Sequence, residues 1–352
     1  MKARRIIWIA VGVVALAAAA SQIAFFVRYP YFRKYARQSG IGLVEARKAW
    51  GRPNAISEVA MGLAVEASLE NWDAVAKIAA EDRRSEVGTY YYNLANAHMG
   101  KLADRLMDYY QPFERGLFLP VGENSKPFVI GCASDVWFAL GDMTMAERDA
   151  MLGMLFSPAH TGPRYLRRLA EANLVAGNYE SASKYLRILL NTPRERRWAL
   201  AHMPENWTPE YRMKVEHLRS LAPKLDVVHG MDQTQIILRV LLNSNPRNAM
   251  ALDYLLCYDL LVKDLDSFVA DFVPSLTKSV LYEEAMLIVL ASKGGMTEEA
   301  LKHYNISAST LERFNRFVTI YKRDNGSRNN LTADFGKTYW YYFYFARRNE
   351  KA

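Results

Sequence analysis

The chain has 352 residues, with 45 Lys+Arg against 37 Asp+Glu and a formal net charge of +8. At 51% hydrophobic and 23% charged, it is neither disordered nor collagen-like. Its two cysteines, Cys132 and Cys257, exclude a disulfide framework and a Cys-rich zinc site, and they read as two buried free thiols. The excess charge sits at the N-terminus. Lys2, Arg4, Arg5, Arg28, Arg33, Lys34 and Arg37 all precede the first acidic residue, Glu45, and the rest of the chain is nearly neutral. The basicity therefore brackets an apolar run, and no nucleic-acid partner is expected.

That run, residues 6–27, reads IIWIAVGVVALAAAASQIAFFV, with Ser21 and Gln22 its only polar members. As a helix it is about 33 Å long, enough to cross a hydrocarbon core of roughly 30 Å. Phe25, Phe26, Tyr29, Tyr31 and Phe32 interleave with Arg28, Arg33 and Lys34, as rings and snorkelling cations do at a membrane interface. Pro30 marks the exit from the helix. A second reading takes the same residues as a signal peptide. It uses the basic n-region, an h-region over Ile6 to Leu16, and cleavage near Ala20 in Ala18-Ala19-Ala20. Both readings place the body outside the cytoplasm. The expected organisation is a transmembrane anchor over 1–29, an α-helical repeat domain over 30–330, and an aromatic-rich cap over 331–352.

Beyond the anchor the pattern is all-α. Apolar residues recur at three- and four-residue spacing, and no sustained two-residue alternation appears. Helix pairs turn near Trp72, Leu102, Met143, Tyr179, Leu265 and Thr297. The clearest pair spans Arg164 to Pro193. Leu166, Leu169, Ala170, Asn173 and Leu174 line its first helix, Gly177-Asn178-Tyr179 turn, and Ala182, Leu186 and Leu189 face back. An irregular, proline-bearing stretch near 194–230 reads as an inserted helix pair with loops.

The Arg164–Pro193 segment resembles a degenerate tetratricopeptide repeat, with small residues, a turn glycine, a following aromatic and a closing proline. Leu166 and Asn173 stand where the repeat carries Trp and an aromatic. The fold expected is thus an N-terminal transmembrane helix followed by an α-solenoid of TPR-like pairs. The Trp72 turn, Tyr90-Tyr91-Tyr92-Asn93-Leu94-Ala95, the Tyr179 unit and Phe335-Gly336-Lys337-Thr338-Tyr339-Trp340-Tyr341-Tyr342 also resemble a group of uncharacterised bacterial membrane-anchored TPR-like proteins of unknown function. The resemblance implies the fold and a membrane location, and it implies no catalytic residues. The single apolar run and the signal-like N-terminus make the expectation a single-pass inner-membrane protein with a periplasmic body.

Catalytic signatures are missing: there is no HExxH, GxSxG or GxGxxG. Gly336-Lys337-Thr338 lacks the upstream glycine of a phosphate loop, because Leu331 stands there. The six histidines are scattered and no two lie four apart. No enzyme, metal or cofactor is expected. One cluster stands out: Arg164, Arg167, Arg168, Lys184, Arg187, Arg194, Arg196 and Arg197 against Glu171, Glu180 and Glu195. It reads either as a site for an anionic partner or as a solvated helix face. The seven consecutive aromatics Tyr339 to Phe345 read as a helix sealing the end of the array, or as a contact surface. The function expected is a protein- or peptide-binding scaffold at the bacterial cell envelope, in contact with the lipid bilayer. A structural subunit of an envelope complex and an enzyme with a site in a helical cleft are the alternatives.

Overall fold

The computed structural model describes residues 11–17, 20–21, 25, 27–81, 85–158, 160, 162–224 and 233–348. They form an all-helical protein with no strand among them. The first half comprises α1 (Pro30–Gln38), α2 (Leu43–Trp50), α3 (Ala55–Ala67), α4 (Trp72–Glu81), α5 (Glu86–His98), the single turn α6 (Leu102–Arg105), α7 (Pro127–Leu140), α8 (Met143–Phe156), α9 (Pro163–Ala176) and α10 (Tyr179–Leu190). The second half comprises α11 (Arg196–His202), α12 (Pro209–Leu221), α13 (Thr234–Ser244), α14 (Ala249–Val262), α15 (Leu265–Asp271), α16 (Val280–Ser292), α17 (Glu298–His303), α18 (Ala308–Arg323), α19 (Thr332–Phe335) and α20 (Tyr339–Phe345).

Among the described residues no helix is long and apolar enough to cross a membrane. The expected span at 6–27 falls in part on residues outside this set. Within it, 11–17 are helical, and Val11, Val13, Val14 and Leu16 each expose more than half of their surface. The anchor therefore rests on sequence.

One device ends nine of the twenty described helices. Gly40, Glu70, Gly100, Gly141, Gly177, Lys263, Gly294, Asn305 and Asn325 all have positive φ. In each case the N–H of the next residue donates to a carbonyl five positions back, as Asn71 does to Glu66 at 3.0 Å and Asn178 to Asn173 at 2.8 Å. This is the Schellman closure, which satisfies carbonyls that a helix end leaves without a partner. The expected turns coincide with it. Trp72, Leu102, Met143, Tyr179 and Leu265 are each the first residue of the following helix. Gly141 is needed twice over. Its φ is +95°, and a Cβ there would lie 2.5 Å from Leu221 Cβ, so α12 can approach the α7–α8 turn only over a glycine. Within the α9–α10 pair, Ala170 and Ala182 are fully buried where the two helices meet. The expected inserted pair is α11 and α12, with residues 225–230 outside the described set.

The pairs do not stand in an open row. One apolar cluster runs from Phe32 to Tyr342, and a smaller one, built on Leu166, Ala170, Leu186, Leu189 and Ala199, lies under α9–α11. Helix α14 packs against α5, α6 and the short turn Phe113–Gly116, and α16 also reaches α6. Polar ties cross the same gap: Ser279 Oγ donates to Asp104 Oδ1 at 2.8 Å, Lys337 Nζ lies 3.2 Å from Asp108, and Arg348 pairs with Glu114. The space exists because the helix after Gly100 lasts one turn. Pro112 and Pro120 bracket an irregular segment that cannot be helical throughout.

Helix α20 fills this junction. Tyr339 and Trp340 are fully buried, and the Tyr339 and Tyr342 hydroxyls donate to the Leu260 and Leu261 carbonyls at 3.0 and 2.7 Å. Lys263 Nζ donates in turn to the Phe343 and Ala346 carbonyls at 2.7 and 2.8 Å. Each helix end thus supplies what the other lacks. The Tyr339 and Tyr342 hydroxyls are thus spent on α14, and the buried face of the run belongs to the interior.

Two buried acids sit beside this contact. Glu284 Oε2 accepts from the Tyr339 N–H at 2.6 Å, and burial raises its carboxyl to about 7 from an ordinary value of 4.5, against the opposing pull of that hydrogen bond and of Arg313. Burial likewise raises Asp259 to about 7, opposed first by its bond from Gln235. A raised folded-state pKa favours the protonated native form. The associated stability is complete below the unfolded pKa and is lost as pH rises through about 7. The share of stability that these two acids supply is therefore expected to fall from about pH 5 to about pH 8. Glu284→Gln should remove the share due to that residue, on the order of 3 kcal/mol. Wild type and variant should match near pH 5 and diverge above it; parallel curves would overturn the assignment. Cys132 and Cys257 are free and buried, as expected, and burial pushes the Cys132 thiol up to about 12.

Candidate functional site

Helix α7 is apolar along most of its length, PFVIGCASDVWFAL, and carries a single charge, Asp135. Its carboxylate is buried and fully used. Oδ2 accepts from Arg164 Nη2 at 3.0 Å and from the Tyr91 hydroxyl at 2.8 Å, and Oδ1 accepts from Arg168 Nη2 at 3.0 Å. Arg164 and Arg168 lie one turn apart on α9, so both reach the same acid. Arg164 is 8% exposed and also donates to the Ala64 carbonyl. Burial is the largest single influence and opposes its charge, but Asp135 together with Tyr91, Cys132 and Tyr35 outweighs it and holds the guanidinium pKa above its ordinary value. Arg168 continues to Glu171 at 3.3 Å and lies 4.0 Å over the Phe138 ring. Arg167 donates from Nε to Glu195 at 2.7 Å and stacks 4.9 Å over Trp198.

The cationic face expected on α9 is therefore an internal tie. Arg164, Arg167 and Arg168 meet carboxylates from α7, from their own helix and from the segment just before α11. Of the other cluster members, Lys184 pairs with Glu180 at 3.1 Å on the surface of α10. Arg187, Arg194, Arg196 and Arg197 are exposed. Only Arg194 joins the α9 arginines at a cavity.

Two cavities adjoin at Asp135 and Arg168. One, about 480 Å³, opens between α1, α7, α9 and the start of α11, and is rimmed by Arg37, Arg167 and Arg194. The other, about 580 Å³, lies toward α4, α5, α12 and α14, and takes in Trp72, His98, Lys214 and Arg247. Arg37, Arg194 and Arg247 are exposed, while Lys214 pairs with Glu70. Trp72 stacks on His98 with ring centroids 3.8 Å apart and planes 11° off parallel. Burial lowers His98 to about 4, so it stays neutral near pH 7 and offers hydrogen bonding rather than charge. The paired cavities form a polar recess rimmed by exposed cations, suited to carboxylate groups along an extended chain. Among the described residues no group of three or more His, Cys, Asp or Glu could hold a metal ion.

Sequence reasoning missed Asp135, Arg37, Trp72 and Arg247 at this site. Asp135 had a usable signal, as the one charged residue in a 14-residue apolar helix; an acid so placed must find a cation on folding.

The residues expected at a membrane interface divide. Phe32 is 1% exposed and belongs to the core, with Tyr35 and Ala36 on the same side of α1. Its burial follows from Pro30, which opens α1 at the first helical position and turns one apolar face inward. Glu58 accepts from the Tyr31 and Phe32 N–H groups at 2.6 and 2.9 Å and fixes this start. Tyr29, Tyr31 and Arg33 are half-buried, and Arg28 and Lys34 are exposed. Phe25 is half-buried, with the Arg47 guanidinium 3.8 Å over its ring. Phe26 lies outside the described residues.

No curated protein and no solved structure matches the chain. A model of a family of unknown function, DUF6057, matches residues 3–346, nearly the whole length. The chain therefore belongs to that family, and its all-helical architecture, closed on itself by α20, is the form the family takes here.

Proposed function

We propose that the protein is a TPR-like helical scaffold, held at the bacterial inner membrane by residues 6–27 with its body in the periplasm, that binds an acidic segment of a partner protein. The observation that carries this reading is the double cavity at Asp135–Arg168, whose rim places Arg37, Arg194 and Arg247 in solvent. Guanidinium groups bind carboxylates in a two-pronged geometry, and such charge-assisted bonds exceed neutral ones in strength. A helix-pair scaffold offers a concave surface for an extended chain, and tethering raises the effective concentration of the site at the membrane.

Crosslinking in native membranes followed by mass spectrometry tests the reading. A partner should be recovered, with crosslinks around the two cavities. Reversing Arg37, Arg194 and Arg247 to Glu should weaken its capture by about tenfold or more while the melting temperature holds, because these side chains are exposed. Recovery of no partner, or capture indifferent to the three reversals, would remove the proposal.

A further inference from the structure

A second surface, distinct from the double cavity, carries three features together. The first is a cavity of about 560 Å³ with mostly apolar walls, formed by Trp50, Met61, Phe128, Phe156 and Pro158. Around it, apolar side chains stand in solvent: Ile56 is 71% exposed, Leu155 57% and Phe156 50%. Clustered exposure of this kind marks an interaction surface rather than ordinary scatter.

The second feature is continuity with the apolar run. Phe25, near the end of that run, lies 6.2 Å from Phe32, which lies 6.0 Å from Trp50. Tyr35 lies 5.3 Å from Trp50 and 5.1 Å from Phe128. A chain of touching rings thus leads from residues 6–27 to the wall of the cavity.

The third feature is charge. Residues 28–58 hold Arg28, Arg33, Lys34, Arg37, Arg47, Lys48 and Arg52 against Glu45 and Glu58 alone. Both acids are engaged locally: Glu45 accepts from the Gly42 N–H at 2.8 Å, and Glu58 accepts from the start of α1. Arg28, Lys48, Arg52 and Lys126 are exposed, whereas Lys34 is compensated by Glu66 at 3.9 Å. Exposed apolar side chains beside uncompensated cations match the boundary of an anionic bilayer, which takes rings and aliphatic groups below its headgroups and cations among its phosphates.

We propose that this face, built from α2, the start of α3 and the adjoining ends of α7 and α8, lies on an anionic lipid bilayer and fixes the tilt of the body above it. Ile56, Leu155 and Phe156 enter the headgroup zone, and Lys48, Arg52 and Lys126 contact lipid phosphates. The proposal rests on the membrane reading of residues 6–27 and adds an orientation to it.

The test uses the full chain in phosphatidylcholine vesicles with and without phosphatidylglycerol. An environment-sensitive dye is attached at Phe156→Cys, or at Glu299→Cys on α17 as the comparison position. Cys132 and Cys257 are buried and do not compete for label. Flotation reports membrane association, and a lipid-borne quencher reports contact of the face. The expected result is flotation, with quenching at 156 several-fold above that at 299. The excess should depend on phosphatidylglycerol and weaken in high salt. Adding Lys48→Glu and Arg52→Glu should lower the phosphatidylglycerol-dependent part by about tenfold. Flotation with equal quenching at both positions would overturn the proposed face and leave the anchor standing. So would crosslinking of 156 between two copies without quenching. Failure to float would overturn both.

Discussion

Replacing Asp135 with alanine is expected to destabilise the protein by about 3–5 kcal/mol, read as a lower denaturant midpoint at unchanged slope. The magnitude follows from what would be stranded. Two guanidiniums, Arg164 and Arg168, converge on this carboxylate, and Arg164 is almost sealed from water. A buried cation without its anion costs far more than the pair gains over a solvated one. The comparison with Arg164→Met is informative. Asp135 keeps Arg168 and Tyr91 in that variant, so its loss should be the smaller of the two. In the double variant the losses should add to less than their sum, because the charge stranded by either change alone is then absent. A loss below about 1 kcal/mol for Asp135→Ala would mean that the triad behaves as a solvated surface pair, and the reading of α9 as an internal tie would fail.

Trp340→Ala is expected to cost about 3–5 kcal/mol as well, and removal of residues 332–352 should abolish the cooperative thermal transition altogether. Trp340 is fully buried, with Phe314, Phe317 and Phe335 at centroid distances of 5.3, 5.8 and 6.3 Å. Its indole N–H donates to the Glu284 carbonyl at 2.8 Å. Truncation leaves a void that the surrounding rings, held by α16, α18 and α19, cannot collapse into. The deletion also strips the Leu260 and Leu261 carbonyls of their tyrosine partners and exposes the junction between α14 and the 102–120 segment. A shortened protein that melted as the full chain does would show instead that α20 is a detachable appendage.

The two variants probe opposite ends of one arrangement. Asp135 joins α5, α7 and α9 near the candidate site, whereas Trp340 closes the body around α16 and α18. Trp340 lies away from both cavities, so binding lost in that variant would report on the fold, whereas Asp135 lines both cavities and its loss alters the site directly.

The helix boundaries were legible in the residues because their causes are local. A residue at positive φ, often glycine but also Glu70, Lys263, Asn305 and Asn325, ends a helix through bonds that span six residues, and at most of these positions the next helix starts within three residues. That is why the turns before Trp72, Leu102, Met143, Tyr179 and Leu265 could be located, and why the seven-aromatic run emerged as one helix. The arrangement of those helices and the role of the charges were not legible. Arg164 and Arg168 look like a cationic face because a tally along the chain weighs neighbours, while their anion lies 29 and 33 positions earlier on another helix. Arg194 was named for its charge, and what gives it a place at the cavity is the way α9 and α11 fold back on each other. The closure between distant pairs was not legible for the same reason: α6 stops after one turn, and only three-dimensional packing brings α14, α16 and α20 into the gap. Backbone punctuation acts over a few residues and survives in any tertiary context. The compensation of a buried charge and the closure of a core depend on distances that no linear spacing encodes.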